Sequence, residues 1–225
     1  MGLLDRILGG KKCRSGRHDP ELADIWNDNG VALYKQGKYY EAIRAYDEAI
    51  RRNPEYANAW YNKGIALDGL GKYYEAIQAY DEVIRLDPEL AAAWLNKGVA
   101  LNNQGNHAAA ILAFDNAIRL DPELAAAWYN KGVALNNQGK YYEAIRAFDN
   151  AIRLDPELAA AWNNKGVALD GLGEYYEAIR AFDNAIRLYP EYANAWNNKG
   201  VALEALGRKS EALVAYAKAV TYGFV

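Results

Sequence analysis

Apolar positions along the chain follow the spacing of two consecutive helices. Between residues 57 and 69, Trp60, Gly64 and Leu67 stand at i, i+4 and i+7. This spacing places them on one face of a helix roughly 21 Å long. After a glycine turn, the same helical spacing runs from residue 73 to residue 86, where an Asp-Pro pair ends it. The pattern predicts a helix A and a helix B joined by a tight turn.

This pair of helices recurs every 34 residues. All six tryptophans keep the spacing: Trp26, Trp60, Trp94, Trp128, Trp162 and Trp196. All six prolines keep it as well: Pro20, Pro54, Pro88, Pro122, Pro156 and Pro190. Such a period is typical of stacked units that bury their apolar faces against one another. We therefore divide the chain into a leader, residues 1–22, and an array, residues 23–225, with repeats at 23–56, 57–90, 91–124, 125–158, 159–192 and 193–225.

Glycine occupies one mid-helix position of every helix A, although glycine there costs about 0.5–1 kcal/mol relative to alanine. We expect these glycines to mark the close approach of helix B, with an alanine of helix B as the matching small surface. The tryptophans and one aromatic residue of each helix B should fill the volume between the two helices. The glycines are Gly30, Gly64, Gly98, Gly132, Gly166 and Gly200, and the helix B aromatics are Tyr46, Tyr80, Phe114, Phe148, Phe182 and Tyr216.

The second repeat carries the run Ala59-Trp60-Tyr61-Asn62-Lys63-Gly64, then Gly71-Lys72-Tyr73, Ala76, Tyr80 and Pro88. This pattern resembles the tetratricopeptide repeat (TPR) family, and the resemblance covers residues 23–225. It implies an all-α fold, a right-handed superhelical α-solenoid of antiparallel helix pairs. Two departures from the family pattern recur: Lys63 stands where leucine is common, and Leu67 stands where tyrosine is usual. The lysine either extends its ammonium to water along an apolar surface or forms an ion pair between helices.

Composition fits a helical protein and gives no bulk charge signal for nucleic acid, since 52% of the residues are hydrophobic and the net charge is −3. The charge is nevertheless uneven, because residues 1–17 carry a net +4, which leaves −7 for residues 18–225. The single cysteine, Cys13, excludes an internal disulfide framework, and no apolar run approaches the roughly 20 residues that cross a bilayer. We expect an intracellular, cytoplasmic protein.

The leader has several interpretations. Leu3, Leu4, Ile7 and Leu8 have the spacing of a short amphipathic helix, and a basic stretch follows them. The preferred interpretation is a hydrophobic cap for the first repeat or a tail, because so short a helix is marginal in isolation. Contact of residues 1–17 with an anionic membrane, or docking to a partner, are the alternatives.

Residues that carry catalytic or metal chemistry are few. The aliphatic hydroxyl, thiol and imidazole groups belong to Ser15, Ser210, Thr221, Cys13, His18 and His107. Only Cys13, Ser15 and His18 stand close together, in a leader that offers no scaffold to hold them. Two histidines and one cysteine do not form a metal ligand set. We expect no enzymatic activity, no cofactor and no metal.

The TPR resemblance implies that helix A lines a concave groove. It also implies that the residue two positions after tryptophan is an asparagine that holds the backbone of an extended peptide. A primary amide carries a donor and an acceptor, so a ladder of amides can pair with successive peptide groups whatever their side chains. The alternative is that the amides only bond neighbouring groups of the array. The ladder positions are Asp28, Asn62, Asn96, Asn130, Asn164 and Asn198.

Two further sets of positions are predicted to share the groove. The residue just before each ladder position varies and would set specificity, with Tyr61 and Tyr129 as its aromatic members. Six residues beyond the ladder positions stand Tyr34, Asp68, Asn102, Asn136, Asp170 and Glu204. With Asp24, Asp28 and Lys35, these give five acidic residues against one basic residue, which favours a neutral or basic guest. A clamp for a carboxylate, known in some TPR proteins, would need Lys63 and its equivalents to turn into the groove.

The last repeat suggests a second function. Its helix B presents Leu213, Tyr216, Val220 and Tyr222 at the spacing that elsewhere packs onto a following helix A. An apolar end face would be covered by a second copy, by residues 223–225 or by further sequence. We therefore expect a peptide-binding scaffold or adaptor for a protein partner. The alternative is a self-associating assembly protein that uses this end or the tyrosine-bearing convex face.

Overall fold

The computed structural model describes residues 19–224, which form twelve α-helices and no strand. The helices are α1 Pro20–Lys35, α2 Tyr39–Arg52, α3 Ala57–Gly69, α4 Tyr73–Leu86, α5 Ala91–Asn103, α6 His107–Leu120, α7 Ala125–Asn137, α8 Tyr141–Leu154, α9 Ala159–Gly171, α10 Tyr175–Leu188, α11 Ala193–Ala205 and α12 Lys209–Thr221. Odd-numbered helices are helix A and even-numbered helices are helix B of the six predicted repeats. Helix α1 begins at Pro20, so residues 20–22 of the predicted leader belong to it. The predicted amphipathic segment and the group Cys13, Ser15 and His18 lie outside the described residues.

The turn between helix A and helix B is made by a glycine in the left-handed region. In the second repeat Gly71 has φ 72°. Its N–H bonds to the carbonyl of Asp68 at 2.8 Å, and the N–H of Lys72 bonds to the carbonyl of Leu67 at 2.9 Å. This paired pattern satisfies the free carbonyls at the helix end, and glycine adopts the conformation without a Cβ clash. The turn follows directly from the sequence pattern.

Within each repeat, the aromatic ring of helix B lies directly on the glycine of helix A. A Cβ added to Gly132 would come within 2.5 Å of the Phe148 ring, and one added to Gly64 within 2.6 Å of the Tyr80 ring. Phe148 has no exposed surface. The predicted close approach is confirmed, but the group that touches the glycine is the ring. The helix B alanines predicted for this role, such as Ala144, are buried beside it.

The tryptophans are not sealed between the helices as their apolar spacing suggested, because all six remain partly exposed. The indole N–H of Trp60 donates to the carbonyl of Pro54 at 3.0 Å, and Trp196 makes the same bond to Pro190 at 2.8 Å. Each such bond ties the start of helix A to the proline turn before it. Trp94 and Trp128 make the same bond, whereas the indole nitrogen of Trp162 is buried without a partner. The shared period of tryptophan and proline therefore reflects a direct contact in four repeats.

Contacts between repeats differ on the two sides of the array. Each helix A packs on the helix B before it and also touches the next helix A, as α1 touches α3 and α9 touches α11. Within residues 19–224, successive B helices make no such contact with one another. The A helices therefore converge on the inner, concave side and the B helices spread on the outer side. This arrangement is the predicted α-solenoid of helix pairs.

We expect Gly132→Ala to destabilise the array, because its Cβ has room only if the enclosed Phe148 ring moves. Overpacking of this kind costs typically about 1–3 kcal/mol. Gly69→Ala is the matched control, since an added Cβ there meets nothing within 4 Å. Urea denaturation followed by circular dichroism measures both. Equal shifts of the unfolding midpoint in the two variants would contradict the ring-on-glycine contact.

Candidate functional site

The inner face of each helix A carries one continuous stripe of side chains. In α3 the stripe contains Tyr61, Ile65 and Asp68, which stand at i, i+4 and i+7 beside Asn62. All four are partly buried. The ring of Tyr61 meets Tyr80 edge-on, with 6.2 Å between centroids. We call the surface formed by these stripes the inner face. The predicted peptide-binding positions lie on it in every repeat.

Ladder asparagines bond to the preceding repeat. In four of the five ladder asparagines, Nδ2 donates to the residue that follows the tryptophan one repeat earlier, 35 positions back. The bonds are Asn62 to Asn27 Oδ1 at 3.0 Å, Asn96 to Tyr61 Oη at 2.9 Å, Asn164 to Tyr129 Oη at 3.0 Å and Asn198 to Asn163 Oδ1 at 3.1 Å. These bonds link neighbouring A helices along the inner face.

The fourth ladder residue is different. The position that would accept its bond is Leu95, which has no polar group, and the Nδ2 of Asn130 donates instead to the Ala126 carbonyl in its own helix at 2.8 Å. The Asn130 amide nitrogen therefore makes its hydrogen bond within its own helix and not to the preceding repeat.

The ladder amides are neither on the outside nor sealed within the array, because all five remain partly exposed. One N–H of each is used within the protein. Among the hydrogen bonds of the described part of the chain, the Oδ1 atoms of Asn62, Asn96, Asn130 and Asn198 accept none. Bonding to neighbours thus uses one N–H of each amide, and four of the five amides keep a free acceptor on the inner face.

Residues just before the ladder divide into two kinds. Asn27 and Asn163 are buried, with 6% and 5% of their surfaces exposed, and they serve as acceptors for the next repeat. The prediction that this position sets specificity in every repeat is therefore wrong for these two residues. Tyr61 and Tyr129 stay partly exposed, and burial raises the pKa of the Tyr129 hydroxyl although its bond from Asn164 opposes the shift.

Asp68 and Asp170 each hold one carboxylate oxygen, Oδ1, away from solvent without a hydrogen-bond partner. Burial raises the pKa of both carboxyls above their ordinary value. At the equivalent position Asn136 has an unpartnered buried Oδ1 as well. The Oδ1 of Asn102 is 2.8 Å from Nδ1 of His107. The four predicted groove residues are therefore placed alike but differ in charge and in bonding.

The lysines beside the tryptophans point away from the inner face. Lys63 lies 2.6 Å from Asp47 of the preceding helix B, and its ammonium stands 5.1 Å from the centroid of the Trp60 ring. The same ion pair recurs as Lys97–Asp81, Lys131–Asp115, Lys165–Asp149 and Lys199–Asp183. Of the two orientations left open by the sequence, the ion pair between helices is the one present. The arrangement does not support a carboxylate clamp on the inner face.

Clefts on the outer side lie over these ion pairs. One of about 620 Å³ is bordered by Asp47, Trp60, Lys63 and Glu75. Because Lys63 and Asp47 already pair with each other, this cleft presents no unmatched charge from that pair.

The end face predicted for self-association is apolar and open within residues 19–224. Leu213 and Val220 expose 69% and 68% of their surfaces. Tyr216 packs its ring on Gly200 in its own repeat and donates its hydroxyl to Glu204 at 2.9 Å. The ammonium of Lys218 stands 5.9 Å from the Tyr222 ring. Leu213 and Val220 are thus the most exposed of the four predicted residues.

In the described part of the chain, no helix is long and apolar enough to cross a membrane, and no three His, Cys, Asp or Glu side chains gather as metal ligands do. The cytoplasmic location stays a prediction.

Family comparisons agree with the helix pairs. A family model described as tetratricopeptide repeat matches residues 27–91, 63–125 and 164–222, and a second model of the same description matches residues 125–158. Both describe a repeat and neither describes a catalytic domain. A search of curated proteins finds no match to this chain.

Solved structures show the same architecture. Two crystal structures of MamA are 28% and 30% identical to this chain, with TM-scores of 0.70 and 0.66. They cover 77% and 71% of this chain, and 94% and 93% of MamA. YrrB, described as a TPR protein with an unusual peptide-binding site, is 24% identical with a TM-score of 0.65, covering 80% of this chain and 92% of YrrB. At that identity the likeness concerns the fold alone.

We expect Asp170→Asn to stabilise the array at neutral pH. A carboxyl whose pKa is raised on folding holds its proton more tightly in the folded state, so its ionisation subtracts stability as pH rises. The gain should vanish at a pH low enough to protonate the carboxyl in both states. Thermal unfolding at a series of pH values measures the difference. A variant less stable than the parent at neutral pH, or a gain independent of pH, would contradict the assignment.

Proposed function

The chain belongs to the tetratricopeptide repeat family, and we propose that it is a non-enzymatic scaffold that binds an extended, neutral-to-basic peptide segment of a partner protein along its inner face. One observation carries this proposal: the A helices contact one another from α1 to α11, and five of the six carry a partly exposed amide on that side. The surface is long, polar and periodic, which suits an extended guest.

The amides are suited to bind backbone groups. In four repeats the bond to the preceding helix A fixes the orientation of the amide before a guest arrives. The Oδ1 atom can then accept a peptide N–H, and the second N–H can donate to a peptide carbonyl. Fixing these groups in advance lowers the entropy lost on binding. Recognition of this kind depends on the backbone of the guest peptide and tolerates varied side chains in that peptide.

Charge on the inner face favours a basic guest. Asp24 and Asp28 are exposed on α1, and Asp68 and Asp170 follow along the face. Lys63 and its equivalents are held by aspartates of helix B, so these cations do not neutralise the acidic side. Complementary potential of this kind speeds encounter and selects the sign of the partner.

Asn130→Ala provides the cleanest test of amide binding, because its Nδ2 bonds only within its own helix. We expect roughly a three- to tenfold loss of capture on an array of immobilised random-sequence peptides, the effect of one hydrogen bond. Adding Asn96→Ala and Asn164→Ala should abolish capture.

Asn150→Ala is the matched control, since Asn150 makes the same bond, 3.0 Å to the Arg146 carbonyl, on the outer helix α8. It should leave capture unchanged. Normal capture by the triple variant, with an intact circular dichroism spectrum, would overturn the amide proposal.

A second candidate function is assembly through the ends of the array, and here we propose that a second copy covers the α12 face. Ala66 is fully buried in a cluster with Ala42 and Tyr46 of the preceding repeat. Its equivalent in the first repeat, Ala32, is exposed in the described structure. On the opposite end, Leu213 is 69% exposed, whereas the equivalent Ile179 is 8% exposed. The exposed faces of α1 and α12 therefore correspond to the two sides of a contact that is buried between successive repeats.

Polar residues at the two ends also match. The ion pair between repeats has neither member there, because Asn29 stands in the place of the lysine and Ala217 in the place of the aspartate. A head-to-tail contact would therefore bury no unpaired charge at that point. The ladder bond could form between the amide of Asn197 and the carboxylate of Asp28. Such a contact would repeat from copy to copy.

We expect Leu213→Glu to reduce the molar mass measured by light scattering at high concentration. Ala32→Glu should do the same in a head-to-tail assembly and have no effect if two α12 faces pair with each other. Leu112→Glu is the control, because Leu112 is 65% exposed on the outer side. A parent protein that is monomeric at every concentration would remove this candidate.

A further inference from the structure

One position on the inner face carries aspartate in two repeats and asparagine in the two repeats between them. Asp68 lies in α3 and Asp170 in α9, whereas Asn102 and Asn136 occupy the same place in α5 and α7. We propose that Asp68 and Asp170 are two anchor points that each bind a lysine or arginine side chain of the guest, three repeats apart. This inference rests on the proposed peptide-binding function and names the chemistry of its guest.

Both carboxylates are incompletely satisfied within the protein. The Oδ1 atom of each is closed off without a partner, while the residue as a whole remains partly exposed. No lysine or arginine among residues 19–224 forms an ion pair with either of them. An ionised group in this condition has lost hydration without gaining a counter-charge. A lysine or arginine of the guest, placed at the exposed side of the carboxylate, would supply the missing counter-charge.

The neighbouring repeats show that the fold does not need a charge here. Helices α7 and α9 differ at only three positions, one of which is Asn136 against Asp170. Asn136 has the same closed Oδ1. Asparagine therefore fits the site, and aspartate adds a charge that burial disfavours, as the raised pKa values of Asp68 and Asp170 indicate. Proteins commonly retain such unfavourable groups where function requires them.

The surroundings of the two anchors differ in one respect. Burial is the main cause of the raised pKa of the Tyr80 hydroxyl, and the nearby charge of Asp68 adds to it, while Phe182 holds the equivalent position near Asp170. Both anchors lie on the stripe that carries the ladder asparagines, so one guest can reach amides and carboxylates together.

The test uses the full chain and fluorescein-labelled Gly-Ser peptides that carry two lysines at graded separations, with a lysine-free peptide as the neutral probe. Fluorescence anisotropy at low ionic strength measures binding. We expect one separation to bind best, and Asp68→Asn and Asp170→Asn each to weaken that peptide by about tenfold, the worth of one charge-assisted hydrogen bond. Binding of the neutral probe should not change.

Glu143→Gln combined with Glu177→Gln is the matched control. It removes two charges, as many as the Asp68→Asn and Asp170→Asn changes remove together, from exposed positions on the outer helices α8 and α10. It should leave the lysine preference intact. If the preference for lysine peptides over the neutral probe falls equally in this control and in the Asp68 and Asp170 variants, the effect is one of general charge. That result would overturn the proposal that Asp68 and Asp170 are anchor points.

A gain of function gives the sharper result. Asn136→Asp in the Asp170→Asn background moves the second carboxylate one repeat closer to Asp68, at a position where the chain already accepts either residue. The preferred separation of the two lysines should shorten. An unchanged optimum would overturn the inference.

Failure of this inference and failure of the proposed function are distinguishable. If the parent binds lysine peptides and the neutral probe equally, and Asn130→Ala weakens both, the anchors are wrong and the scaffold proposal stands. If the parent binds neither probe, both are wrong.

Discussion

An aromatic ring of helix B lies on a glycine of helix A in every repeat, and the other contacts of the array depend on this approach. A Cβ at the glycine would enter the ring, at 2.5 Å for Gly98 and Phe114. With the ring in that place, the alanines around it are buried, and the next helix A packs on the two helices of the repeat. Because the backbones of successive A helices approach each other more closely than those of successive B helices, the array curves and acquires an inner face. The candidate site exists because of this curvature.

Polar contacts between repeats place different charged groups on the outer and inner sides of the array. On the outer side a lysine of helix A meets an aspartate of the preceding helix B, and on the inner side an asparagine meets the residue after the previous tryptophan. The aspartates of these ion pairs are about half exposed, and exposed pairs are worth roughly 0–1 kcal/mol. Stability therefore comes mainly from the buried rings and alanines. The polar links set the register between repeats and keep the lysines away from the acidic inner face.

Periodicity located the six equivalent ladder positions, and the resemblance to the TPR family implied that they face a groove. In the structure, four of the five ladder asparagines bond between neighbouring A helices. Their bonds were not predictable, because each joins residues 35 positions apart and depends on how far neighbouring A helices turn. The burial of Asn27 and Asn163 was missed for the same reason. The sequence does contain a signal for this burial. Among the residues just before a ladder position in the first five repeats, only Asn27 and Asn163 are asparagines, and both accept a bond from the next repeat.

By itself, the sequence determined the number of repeats, the bounds of the two helices in the second repeat, the glycine turn and the close approach of the two helices in each pair. These features depend on local spacing, which a 34-residue period displays six times. Only the tertiary structure decided which way each lysine points, which amides bond to the preceding helix A and which carboxylate oxygens are buried. Those outcomes depend on the relative position of helices from different repeats, because burial and hydrogen-bond partners are properties of the packed array and not of any single segment.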